Sequence, residues 1–140
     1  MDNVGLVVDD LEAAIAFFVE LGMELEGEAS VDGRWVDEVV GLEGVHSDIA
    51  MVRTPDGRGR VELARFREPL PVASAPAAAV NTPGLYRIMF AVDDIDDVLT
   101  RLRPHGAELM GEVGQYEDAY RLCYLRGPAG AIIALAQPLS

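Results

Sequence analysis

The stretch NVGLVVDDLEAAIAFFVELGMELEGE, residues 3–28, returns as RIMFAVDDIDDVLTRLRPHGAELMGE, residues 87–112. The two align without a gap at an offset of 87 − 3 = 84. Val8, Asp9 and Asp10 recur as Val92, Asp93 and Asp94. Gly22, Glu24, Leu25, Gly27 and Glu28 recur as Gly106, Glu108, Leu109, Gly111 and Glu112. A supersecondary unit is therefore used twice. Each copy opens on a short apolar strand and then meets Asp-Asp, a helix N-cap that suits the positive helix N-terminus. Leu11, Ala14, Ile15 and Phe18 fall at i, i+3, i+4, i+7, as do Ile95, Val98, Leu99 and Leu102. Each helix thus has one apolar face. Gly22 and Gly106 stand where a left-handed C-cap is wanted.

Strand-like runs follow each helix. MELEGEASV, HSDIAMVRT and RVELARF serve the first copy; AELMGEV, YRLCYLR and AIIALAQ serve the second. Residues 32–44 lie between the first two runs without an assigned element. The hairpins RTPDGRGR and RGPAGA place Pro55 with Pro128 and Gly57 with Gly130. Each half reads β-α-β-β-β. A half this small cannot bury both faces of its sheet alone, so the halves should pack together. The expected fold class is α+β: two tandem βαβββ modules, residues 1–66 and 84–140. Residues 67–83, rich in Pro and Ala, read as the linker.

The 140 residues fit one domain with a real core, and half of them are hydrophobic. No apolar run approaches the roughly 20 residues of a membrane span, and no secretory pattern opens the chain. The expectation is a cytoplasmic protein that does not contact membrane. A net charge of −13 argues against nucleic acid and fits a cationic ligand. All 11 basic residues are Arg, so Schiff-base chemistry and a P-loop lysine are excluded. Cys123 is the only cysteine; no intrachain disulfide can form, and RLCYL reads as a buried strand.

Paired modules carrying VGLVVDDLEAAIAFFVELGMEL, RTPDGRGRVELARF and YEDAYRLCYLRGPAG resemble the vicinal oxygen chelate superfamily. That group includes glyoxalase I, extradiol dioxygenases and bleomycin-resistance proteins. The resemblance covers almost the whole chain and implies mixed sheets that curl around a cavity. It implies metal ligands on the first and last strand of each half, usually two His with one or two Glu. Those positions here are Asn3, Glu62, Arg87 and Ala134. Only Glu62 survives. Asn is a weak neutral ligand, Arg has no lone pair to give, and Ala offers nothing. One carboxylate does not hold a catalytic ion, which needs about three protein ligands. His105 falls in the last turn of the second helix, and His46 near a strand start; neither has ligand spacing. The expectation is no metal and no cofactor, with Arg87 pairing to Glu62 in the vacated place.

Strand alternation sorts the rest. With those four positions facing the cavity, Gly5, Val7, Ala64, Phe66, Met89, Ala91 and Ile132 face it too. The large apolar residues Leu6, Val8, Leu63, Phe90, Ile133 and Leu135 turn to the helices. By resemblance Tyr120, Leu122 and Tyr124 face inward, and so do Met51 and Ile49. The candidate ligand-binding set is therefore Asn3, Trp35, Met51, Glu62, Phe66, Arg87, Met89, Tyr116, Tyr120 and Tyr124, suited to a flat or greasy molecule. The implied function is a metal-independent binding protein. It would confer resistance by sequestering a natural-product antibiotic, cationic or aromatic, bleomycin-like or enediyne-like. The implied assembly is a homodimer with its pockets at the subunit interface. The alternative is an enzyme of the glyoxalase, dioxygenase or epimerase type, with Glu62 as general base and Arg87 as oxyanion stabiliser.

Overall fold

The computed structural model describes residues 1–72, 78–84 and 87–139. The chain divides into two compact units, Met1–Ser74 and Ala75–Ser140. In the first, β1 (Val4–Val7) leads into α1 (Leu11–Leu21), β2 (Glu24–Asp32), α2 (Arg34–Val40), β3 (His46–Arg53) and β4 (Arg60–Glu68). In the second, β5 (Arg87–Ala91) leads into α3 (Ile95–Leu102), β6 (Glu108–Leu109), β7 (Gly114–Tyr116), β8 (Tyr120–Arg126) and β9 (Ile132–Pro138). The strand orders are β1-β4-β3-β2 and β5-β9-β8-β6, with β7 also paired to β8. In each sheet the first strand runs parallel to the last and the remaining pairs are antiparallel. The fold is mixed α+β, as expected from the repeat, and neither sheet closes on itself.

The caps explain where the two long helices begin. The Asp10 carboxylate accepts from the Ala13 N–H at 3.0 Å, and the Asp94 carboxylate accepts from the Asp97 N–H at 3.1 Å. Each satisfies one orphan donor of its first turn. Gly22 ends α1 at φ 124°, where its N–H reaches the Phe18 and Val19 carbonyls. α1 packs on β3 and β4, and α3 on β9. The expected apolar stripe of α3 is wholly buried. On α1 the buried set is Leu11, Ala14, Phe17, Phe18 and Leu21, while Ile15 is half-buried. The stripe takes in Phe17 and Leu21 in place of Ile15, because Phe17 and Phe18 both turn inward, edge to face at 5.3 Å.

Three details depart from the sequence reading. Residues 34–40 form a helix, too short to show a period and held by Asp37, which accepts from the N–H groups of Gly44 and Val45. The run AELMGEV is not one strand: pairing stops at Leu109 and resumes at Gly114. β4 runs on to Glu68, two residues into the expected linker, of which 73–77 lie outside the described residues.

Candidate functional site

Within each sheet the positions matching a metal set fall in equivalent places. In the first, Glu62 pairs across to Gly5 on β1 and Met51 on β3, and Asn3 stands two residues before Gly5. In the second, Ala134 pairs to Met89 on β5 and Tyr124 on β8, and Arg87 stands two residues before Met89. The donors do not fit a catalytic divalent ion. The Asn3 amide donates to Asp2 at 2.8 Å. Ala134 is fully buried and brings only a methyl group. Arg87 is a cation held over the Tyr124 ring, 4.9 Å from its centroid. Glu62 is half-buried, and its carboxylate has no hydrogen-bond or ion-pair partner among the described residues of its own unit. Among the described residues no three His, Cys, Asp or Glu side chains come together as a metal site would require.

The candidate ligand residues separate into two groups. Met51 sits directly beside Glu62 in the first sheet, and Phe66 lies four residues further along β4, opposite Ser47. Trp35 is the second residue of α2 and 60% exposed. Tyr124 and Met89 flank Ala134 in the second sheet, and Tyr116 pairs with Tyr120 at the β7–β8 end. Met89, Tyr116 and Tyr120 are exposed, while Tyr124 is half-buried. Ile132, expected on the cavity face, is buried. Of the ten candidates, Tyr124 borders a hollow of about 560 Å³ in the second unit. Its other walls, among them Val80, Met110, Glu112 and Gly114, were not picked out by sequence reasoning. The available signal was the pair of glycines in MGEVG, which a continuous strand does not favour.

A polar cluster in the first unit also escaped the sequence. The Asp48 carboxylate accepts from the Ser30 hydroxyl at 2.7 Å and Arg65 at 2.7 Å, with Arg67 at 3.2 Å. The Arg65 hydrogen bond first, then that of Ser30, hold the Asp48 carboxyl below the usual range. Only strand pairing brings residues 30, 48 and 65 together, so no local spacing announces them. Burial pushes the Cys123 thiol up, away from the thiolate a nucleophile needs.

Two βαβββ units, each pairing its first strand in parallel with its last, define a class of proteins that share a scaffold and differ in chemistry. The chain belongs to the Glyoxalase/Bleomycin resistance protein/Dioxygenase superfamily, whose family model matches residues 2–124. It is similar to the crystal structure of the glyoxalase family protein APC24694 from Bacillus cereus. Identity is 52% and the TM-score 0.95, with 100% of this chain and 94% of that one covered. It is 30% identical over 86 residues to CFP32 of Mycobacterium tuberculosis, provisionally named a glyoxylase. The match takes 59% of this chain and spans a third (33%) of that protein's length. It shares its fold with TnmS3, an antibiotic binding protein from Streptomyces sp. CB03234. There the TM-score is 0.58 and identity 23%, over 99% of this chain and 94% of that one.

Proposed function

We propose that this protein is a metal-independent binder of a small molecule, holding a natural-product antibiotic of aromatic or cationic character. The observation that carries the reading is the donor chemistry: of Asn3, Glu62, Arg87 and Ala134, Glu62 alone brings a carboxylate, and Arg87 brings a positive charge. Binding needs no catalytic constellation; an apolar wall and a few polar anchors suffice. The antibiotic-binding structural neighbour supports the reading, since the scaffold hosts that role there. A homodimer and a cytoplasmic location belong to the same proposal; no helix among the described residues is long and apolar enough to cross a membrane.

The second reading is an enzyme of the glyoxalase kind, favoured by the name of the mycobacterial relatives. It would rely on Glu62 as base without a second carboxylate at position 134. One experiment separates the two. Purified protein is dialysed against Ni, Zn, Fe and Mn, analysed for metal, and then melted with a panel of DNA-damaging antibiotics. A binder stays metal-poor and gains about 2.7 kcal/mol at ~100 times the dissociation constant. Near-stoichiometric metal, or turnover of the methylglyoxal–glutathione adduct, would replace it with the enzyme.

A further inference from the structure

The two copies of the repeat differ where the strand after the helix runs. In the first unit β2 extends over nine residues, with one register shift between Leu25 and Gly27. In the second unit the same stretch breaks after Leu109 and pairs again only from Gly114. Met110 still donates its N–H to the Tyr124 carbonyl at 2.9 Å, so the chain leaves the sheet just beyond it. The hollow of about 560 Å³ opens at that break, within the range of small-molecule sites.

Its walls are apolar or small. Val80, Met110, Leu122 and Tyr124 supply the greasy surface, and Gly111 and Gly114 leave room. Gly114 pairs with Leu122, so a side chain there would share the Leu122 face. A Cβ built at either glycine meets nothing within 4 Å, and neither has positive φ. These glycines therefore serve no strained turn; what they provide is space. Among the described residues Glu112 is the one formally charged residue on the wall, and it has no hydrogen-bond or ion-pair partner among them. The Tyr124 ring already carries a cation, Arg87, so a second positive charge is better met by Glu112 than by the ring.

We infer that this hollow is a binding site for a planar, fused-ring small molecule bearing a basic nitrogen. The ring system lies against Met110, Leu122 and Tyr124, and the nitrogen meets the Glu112 carboxylate. The inference rests on the binder reading above and adds a place and a ligand class to it.

The test uses two probes of matched three-ring size and opposite charge: 9-aminoacridine, cationic near pH 7, and 9-anthracenecarboxylate. Fluorescence titration of the full chain should show saturable 1:1 binding of the aminoacridine, at least tenfold tighter than the carboxylate. Glu112→Gln, at an exposed position, should bring the two affinities within about threefold. It removes one of 24 acidic side chains, so a general attraction of cations to the acidic surface would survive it. Gly114→Leu should fill the hollow and abolish saturable binding of both probes, with the unfolding midpoint retained. Unchanged binding by Gly114→Leu would overturn the site and leave the binder reading standing. Tighter binding of the carboxylate would overturn the charge assignment. If neither probe binds but an antibiotic stabilises wild type and Gly114→Leu alike, the hollow falls alone. If no compound stabilises either, both proposals fall.

Discussion

The Arg87 guanidinium lies 4.9 Å from the centroid of the Tyr124 ring, reaching from β5 across β9 to β8. Arg87 thus spends its charge on an aromatic face. A cation over a ring at a partly exposed site contributes about 0.5–1 kcal/mol. Arg87→Met and Tyr124→Leu should therefore show a coupling of that size in a double-mutant cycle by urea unfolding. Additive effects would mean that the contact is geometric only.

Acid should weaken the first unit through Asp48. Its carboxyl is held below the usual range by Arg65 and Ser30, with Arg67 adding charge. A carboxyl depressed by folding stabilises the protein above its unfolded pKa, about 4, and that stability is lost as pH falls through the folded value. Asp48→Asn should therefore be less stable than wild type at pH 7, and the gap should close as pH drops below about 4. A gap that stays constant from pH 7 down to pH 2 would remove Asp48 as its source.

The equivalence of the helix starts can be measured directly. Asp10 and Asp94 make the same bond to the residue three positions on. Replacing either with Ala should cost about 0.5–2 kcal/mol in denaturant unfolding. Asp94→Ala should retain more of the cap's electrostatic effect, because Asp96 and Asp97 remain in the first turn of α3, whereas α1 keeps only Glu12. Equal losses would show that the first-turn charges add little to the caps.

These caps were legible in the sequence because they are local. Asp-Asp ahead of an i, i+3, i+4, i+7 stripe fixes helix type and start together, and the α3 stripe is buried residue for residue. The Pro/Gly hairpins were legible for the same reason: Gly57 and Gly130 reach φ 74° and 75°, the left-handed region that glycine enters freely. What depends on register was not legible. Asp48 meets Ser30 and Arg65 only once β2, β3 and β4 align. The break at Met110–Val113 hides in a run whose apolar and polar residues suit a continuous strand. Helix α2 is seven residues long, too few for a period to show, and Val36 alone of them is buried. Trp35 reads as a pocket residue by type, yet its place at the start of that helix leaves it exposed.

Cys123 is the one cysteine of the chain. It sits in β8 opposite Leu135, buried, with its thiol pushed up chiefly by desolvation. The thiolate is the reactive form, so native protein at pH 8 should resist iodoacetamide, while protein in urea should react at the rate of an open thiol. Reaction of the native chain should follow its opening to the unfolded state. Two substitutions separate packing from reactivity. Cys123→Ala removes a small apolar group, whereas Cys123→Ser keeps the size but brings a hydroxyl into the same buried place. An unsatisfied buried hydroxyl costs about 1–3 kcal/mol, so Ser should be the more destabilising of the two. Native labelling as fast as in urea would instead mark β8 as an element that opens readily, and the hollow bordered by Tyr124 would open with it.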